Sequence, residues 1–387
     1  MFKRTLALVS ATLLGLATYA VAADLASNHP DTYVVRKGDT LWDISARFLK
    51  QPWLWPEIWQ ANPQVRNPHL IYPGDVLNLV YLNGQPRIEM SRGMETGPAI
   101  DTIPLSDIQD FLKKLRVVDN FKDLPYVVGI EEDQERVYNG QLAYARGIPN
   151  AQAGDMYAIM RPMTQFGRTL RGSGEYEMRR DDLDFRGDLL NGTQWDNYWN
   201  DVSFGRPGQP DYLGTEMKEV SLAQVTRPEG HGIQTATLLL LGDGVEVRKG
   251  DRLMQVEAQP FDLQFFPHPP KRQATVAEYS KFRVIGIPDN IGAASTHEVI
   301  ALSGGLTDDI DNGTVFSVWR IGQNTEDNVR YGGNHIDADY DRVRLPDEFL
   351  GHVMVFRAFD KMSYGLLMDG TKEIHVGDVL KHPDATR

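Results

Sequence analysis

The sequence contains no cysteine among its 387 residues. That absence removes disulfide frameworks, cysteine nucleophiles, thiolate metal sites and a lipid-modified N-terminal cysteine. Basic charge is also scarce: 40 Lys and Arg stand against 53 Asp and Glu, for a net charge of −13. Neutralising phosphates takes clustered Lys and Arg, so nucleic acid is not an expected partner. Histidine is sparse too. His231, His268, His297, His335, His352, His375 and His382 show neither His-x-His nor His-Glu-x-x-His spacing, and no zinc-hydrolase motif is present. After the N-terminus, no apolar run approaches the roughly 20 residues that cross a bilayer. With 41% hydrophobic and 24% charged residues, the chain is too apolar for wholesale disorder and long enough for two or three domains. Its 35 glycines and 22 prolines favour many turns and a β-rich fold.

The first 23 residues read as an address. Lys3 and Arg4 are basic, Leu6 to Ala17 is apolar, and Ala20-Val21-Ala22 or Val21-Ala22-Ala23 places small residues before Asp24. This is the layout of a cleaved signal peptide, residues 1–23. An uncleaved membrane anchor is the alternative, because Thr5 to Ala23 is close to a spanning length; Ser10, Thr12, Gly15 and Thr18 weaken it. Once cleaved, the chain is not expected to span a membrane.

Residues 30–80 carry the most specific pattern. Tyr33-Val34-Val35 is a short strand, Gly38-Asp39 a turn, and Thr40 the cap of a helix whose third residue, Asp43, suits the dipole. Leu41, Ile44 and Phe48 follow at helical spacing. A second helix is expected from Pro56 through Trp59 to Asn62-Pro63, and Pro73-Gly74 turns the chain into a closing strand, Val76 to Val80. The order is βααβ. This segment resembles the LysM family in Gly38-Asp39-Thr40-Leu41-Trp42, Asn62-Pro63, Asn67-Pro68, Leu70-Ile71 and Pro73-Gly74-Asp75-Val76-Leu77. The resemblance implies binding of glycans that contain N-acetylglucosamine, hence peptidoglycan in an exported bacterial-type protein. It puts the sugar in a shallow groove, with Gly38, Asp39, Thr40 and Leu41 on one wall and Asn67, Pro68, Leu70, Ile71 and Tyr72 on the other. A neutral acetamido sugar needs backbone amides and an apolar floor more than charge. Gly38, Pro73, Gly74 and Thr40 are equally demanded by the turns and the cap. Among Trp42, Trp53, Trp55 and Trp59, Trp59 is expected in the core, while Trp53 and Trp55 flank Pro56 in an insertion and are candidates for exposure.

Residues 81–125 are expected to form a linker, 81–104, followed by an amphipathic helix from Ser106 to Val117. Ser106 and Gln109 would form a capping box, with Ile108, Phe111, Leu112 and Leu115 on one face. That face most simply packs on the following domain. The remainder reads as one unit written twice. Val128-Gly129-Ile130 matches Ile285-Gly286-Ile287, Gly154-Asp155-Met156 matches Gly313-Thr314-Val315, and Gly250-Asp251-Arg252-Leu253 matches Gly377-Asp378-Val379-Leu380. The expected units are 126–258 and 283–383, joined by a linker at 259–282, each a small β-barrel or sandwich; the first carries extra residues within 163–211. The fold class is thus α+β and mainly β.

An exported LysM chain raises the question of wall hydrolysis. A carboxylate pair for glycoside cleavage is compatible with so acidic a composition, yet no lysozyme-like segment is recognisable. Asp337, Asp339, Asp341 and Glu348 have calcium-loop spacing, but Arg342 stands where the loop needs glycine, so a solvated acidic loop is expected. Trp195, Tyr198 and Trp199 lie in a polar excursion around Asp181 to Asp201 that suits a surface loop or a partner contact. No metal, cofactor or catalytic residue is expected. The order of signal, N-terminal LysM and long β-rich region with Gly-Asp-x-Leu turns is similar to the type IV pilus secretin-associated protein family. That resemblance implies a non-catalytic periplasmic protein that anchors or aligns the outer-membrane secretin ring of the type IV pilus on peptidoglycan. A scaffold for another envelope assembly, or a cell-wall hydrolase, is the alternative.

Overall fold

The computed structural model describes residues 24–385 except 57–70, 83, 95–96, 132–135, 171–175, 184–210, 231, 243–244, 257–265, 272–280, 289–291, 328 and 330–341. The signal segment and the second LysM helix beyond Pro56 therefore lie outside the described residues, though Trp55 and Pro56 already have helical backbone. Helix α1, Leu41–Phe48, starts at the expected cap: Thr40 is extended, and its hydroxyl accepts from the Asp43 N–H. The helix buries Leu41, Trp42, Ile44 and Phe48 against strands β1 (Thr32–Val34) and β2 (Val76–Leu82). Strand β3, Gln85–Ser91, completes a three-stranded antiparallel sheet in the order β1-β2-β3. This corrects the expected linker at 81–104, because β3 pairs with β2 along its whole length, Val76 opposite Ser91 through Leu82 opposite Gln85. Gly84 and Pro86 suggest a loop, yet Ile88 and Met90 alternate inward and Pro86 lies on an edge strand, where its missing donor is harmless.

Helix α2 spans Leu105–Lys114 and ends three residues early, since Leu115–Val118 is strand β4. Its N-cap is Pro104, with no side-chain cap, so the helix starts ahead of Ser106 and the expected cap position lies inside it. Ile108, Phe111, Leu112 and Leu115 are buried as expected for the apolar face.

Two sheet systems follow. The first contains β5 (Tyr126–Ile130), β6 (Arg136–Val137), β7 (Leu142–Arg146), β8 (Met156–Leu170), β9 (Tyr176–Asp182), β10 (Asp211–Arg227), β11 (Ala236–Leu241), β12 (Val247–Arg248) and β13 (Arg252–Gln255). The second contains β14 (Val284–Gly286), β15 (Ala293–Ala294), β16 (Val299–Leu302), β17 (Val315–Arg320), β18 (Asn324–Glu326), β19 (Arg342–Arg344), β20 (Glu348–Ala358), β21 (Ser363–Gly370), β22 (Ile374–His375) and β23 (Val379–Lys381). In the first, β5-β7-β11-β10-β8-β13 returns to β5, closing a ring. In the second, β14-β16-β21-β20-β17-β23 closes through the Arg283–Val379 bridge. Matched in chain order, the two rings have the same neighbours and carry a corresponding small ribbon, β6–β12 or β15–β22, and the second also has the ribbon β18–β19. Closure removes the exposed edges that would otherwise recruit other strands.

The turn entering the last ring strand is built alike in both. Gly250 (φ +93°) and Gly377 (φ +99°) allow the bend, and the following aspartates accept from the N–H groups of Arg248 and His375, each at 2.8 Å. Asp251 receives a bidentate Arg161 at 3.0 and 2.9 Å, and Asp378 a bidentate Arg320 at 3.2 and 3.0 Å. The same clasp appears a third time in the N-terminal module: Asp75 follows Gly74 (φ +105°), accepts from the Tyr72 N–H at 3.0 Å and pairs with Arg92 at 3.2 Å. Glycine supplies the positive φ, and the carboxylate satisfies a turn N–H that no strand can reach.

Strands β8 and β10 overrun their ring, and their outer halves pair with β9 and β4 to form an arm. Part of the 163–211 segment is thus strand; residues 184–210, with Trp195, Tyr198 and Trp199, lie outside the described residues. The arm packs on the second ring: Phe166 faces Gly286, and the Tyr364 hydroxyl donates to the Glu216 carboxylate. One continuous apolar cluster runs from α1 through Ile103 and Ile108 to Met354, Phe356 and Tyr364. Trp53 and Trp55, candidates for exposure, are only 3% and 1% exposed. Trp53 lies 4.6 Å from the ring of His352 in β20, and Trp55 6.2 Å from Phe266 in the segment between the two rings, centroid to centroid, so the insertion docks the N-terminal module onto the second ring and the segment before it.

Candidate glycan-binding groove

The first wall is fixed by its own turn. Gly38 has φ +93°, is exposed, and has open space where a side chain would project. The Asp39 carboxylate accepts from the Tyr33 hydroxyl and the Arg36 N–H, both at 2.8 Å. Burial, then the neighbouring Asp39, push the Tyr33 pKa up, which keeps its hydroxyl protonated and donating. The Arg47 guanidinium lies over that ring, 4.9 Å from its centroid. Thr40 and Leu41 are buried, 6% and 1% exposed, and their side chains serve the cap and the core.

On the second wall, Asn67, Pro68 and Leu70 lie outside the described residues. Ile71 is fully buried, and Tyr72 is half-buried beneath the Arg92 guanidinium at 5.2 Å. The two walls meet through a segment that the sequence did not mark. The Leu41 N–H donates to the Asp101 carbonyl (3.0 Å), the Trp42 N–H to the Thr102 carbonyl (3.3 Å), and the Ile100 N–H to the Ile71 carbonyl (2.8 Å). With Thr40 serving the Asp43 N–H and Ile44 bonding back to Thr40, every N–H in the first turn of α1 has an acceptor. Gly93 anchors the start of the segment: its N–H donates to Asp75 at 3.1 Å, and a Cβ there would overlap the Gly74 carbonyl. Arg92, Gly93 and residues 100–102 are the contributors that sequence reasoning missed. These contacts are mainly backbone, and the one available signal was the apolar pair Ile100 and Ile103.

Elsewhere, Glu348 is paired with Lys372 at 2.9 Å, while Asp337, Asp339 and Asp341 lie outside the described residues. Among the described residues there is no cluster of three or more His, Asp or Glu able to hold a metal. No helix among the described residues is long and apolar enough to cross a membrane.

The LysM domain family matches residues 33–80. A Bacillus subtilis (strain 168) protein named Uncharacterized protein YqbP is 38% identical over 60 residues, which is 13% of this chain and 27% of that protein. The match spans about a quarter of that relative's length. The chain contains a LysM domain, a module for binding peptidoglycan and related carbohydrate, followed by a long region made mostly of sheet.

Proposed function

We propose that this protein is a non-catalytic peptidoglycan-binding anchor of the periplasm, and that its sheet-rich region holds the outer-membrane secretin ring of the type IV pilus against the wall. The observation that carries the glycan half is the LysM match over 33–80; the backbone bonds by which residues 100–102 join Leu41 to Ile71 support placing the two walls near each other. Gly38, Asp39, Thr40, Leu41, Asn67, Pro68, Leu70, Ile71 and Tyr72 are the proposed contacts. The secretin half is supported by chain order: an export signal, the module, then units 126–258 and 283–383 with matching rings and Gly-Asp turns. The docking of Trp53 and Trp55 on the second ring and the segment before it favours a mechanical role, because load reaching the rings passes directly to the wall-binding module. Copies arrayed around one ring would share a high effective concentration, so weak single contacts suffice. Calorimetry of the mature chain with a soluble peptidoglycan tetrasaccharide, and capture of detergent-extracted secretin by the immobilised chain, test the two halves separately. Heat without capture moves the protein to another envelope assembly; release of new reducing ends from the glycan makes it a hydrolase.

A further inference from the structure

The two units repeat their arms as well as their rings. Counted from the clasp arginines, Arg161 and Arg320, Phe166 and Thr325 each stand five residues on. Phe166 lies opposite Gly214, and Thr164 opposite Glu216. In the second unit Thr325 lies opposite Val343, and the Leu345 N–H donates to the Gln323 carbonyl. The ribbon β18–β19 is therefore the counterpart of the arm, with Thr325, Val343 and Leu345 in the places of Phe166, Gly214 and Glu216. In the first unit those places dock on the second ring: the Phe166 ring covers Gly286 beside the Ala301 methyl, Gly214 has Met362 beside it, and Glu216 accepts from Tyr364. Their counterparts face solvent. Thr325 is exposed, and Val343 and Leu345 are 50% and 46% exposed.

The first ring has the matching seat. Gly286 pairs opposite Ala301 in the second ring, and Gly129 opposite Tyr144 in the first. Both strands bulge just before that glycine, and the bulged residue is Ile285, 1% exposed, or Val128, 41% exposed. The next pair along the face is Val299 with Leu366, or Leu142 with Leu239. Val299, Ala301 and Leu366 are buried in the apolar cluster that includes Phe166 of the arm, whereas Leu142, Tyr144 and Leu239 are only half-buried. Sizes are exchanged as well: a large Phe166 meets the small Ala301 within the chain, and a small Thr325 would meet the large Tyr144.

We infer that the ribbon β18–β19 of one copy docks on the outer face of the first ring of a second copy, repeating between chains the arm-on-ring contact that joins the two rings within one. Such head-to-tail contact is heterologous, so it builds a closed ring where the rotation closes and a filament where it does not. The contact stands on the fold alone, independently of the glycan and secretin readings.

The test uses the full mature chain, whose lack of cysteine lets engineered cysteines report one contact at a time. Thr325→Cys and Val128→Cys chains, both altered at exposed positions, should when mixed and oxidised form a disulfide-linked dimer at least about tenfold faster than either chain alone, because docking raises the local concentration of the two thiols. In sedimentation velocity the unaltered chain should gain mass with concentration. The Val343→Asp, Leu345→Asp double variant should weaken that association at least about tenfold, because it puts two charges into the contact. A chain that stays monomeric and gives no mixed product overturns the proposal. Linkage of Thr325→Cys to itself as fast as in the mixture also overturns it, since the contact would then join like faces, and so does association that the double variant leaves unchanged.

Discussion

The paired Arg-Asp clasps give a sharp prediction because the same geometry sits in two environments. In the first ring the Arg161 and Asp251 side chains are 5% and 2% exposed; in the second, Arg320 is 36% and Asp378 7% exposed. Asp251→Ala removes the bidentate partner of a buried guanidinium, leaving it the Glu246 carbonyl at 2.6 Å and carboxylate at 4.0 Å, and strands a turn N–H, a loss of about 3 kcal/mol, the low end for a broken buried pair. Asp378→Ala leaves Arg320 reaching water, so most of its charge is re-solvated and the loss is about 1–2 kcal/mol, mainly the turn hydrogen bond. Burial is the largest influence on the Asp251 carboxyl and pushes its pKa up against the pull of Arg161. Arg161→Met should therefore leave a carboxyl that takes up a proton in place of a bare buried charge, and cost less than Asp251→Ala. Hydrogen-exchange mass spectrometry in increasing urea reads the two rings separately in one molecule. Equal losses for Asp251→Ala and Asp378→Ala, or a larger loss at Asp378, would refute the claim that solvent access at the arginine decides the strength of the clasp.

Three further outcomes follow from individual contacts. Asp347 is pushed up by burial, but hydrogen bonds from Lys381, Gly322 and Arg344 outweigh this and bring its pKa down to about 2. A folded pKa below the unfolded value near 3.9 gives stability that is present above about pH 4 and lost as pH falls toward about 2. Asp347→Asn should remove about 1–2 kcal/mol of stability at pH 6 and flatten that acid limb, as measured by urea titration across pH. Gly154→Ala and Gly313→Ala should both cost about 1–2 kcal/mol for a left-handed backbone, φ +101° and +96°, but Gly313→Ala more, because its Cβ would meet the Phe266 carbonyl while Gly154 faces open space. Differential scanning calorimetry of the two variants gives the order directly. Trp53→Ala should cost about 3–5 kcal/mol and make residues 24–56 exchange ahead of the rings, since it removes the contact with His352 as well as core volume.

The LysM segment was legible because turn glycines, the Thr40 cap and the helical spacing of Leu41, Ile44 and Phe48 are local signals. The Gly-Asp turns were legible for the same reason. Strand β3 was not, because Gly84 and Pro86 hide the alternation of Ile88 and Met90, and an edge position is set only by its partner β2. The early end of α2 follows likewise from tertiary pairing: Leu115 to Val118 satisfies a helical pattern, but the β-branched Val117 and Val118 complete the arm beside β10. Trp53 and Trp55 read as surface candidates because the residues that cover them, His352 and Phe266, are remote in sequence. Residues 100–102 left least trace, since a peptide carbonyl that caps a distant helix carries no residue-type signature.

Glycan attachment through the N-terminal module is the central claim, and co-sedimentation with purified sacculi tests it most directly. The intact mature chain is compared with a chain lacking residues 24–103, with a sacculus-free control for aggregation and turbidity followed throughout. The account predicts that only the intact chain pellets with sacculi and that turbidity holds. Equal pelleting of both chains, or a fall in turbidity, would contradict it.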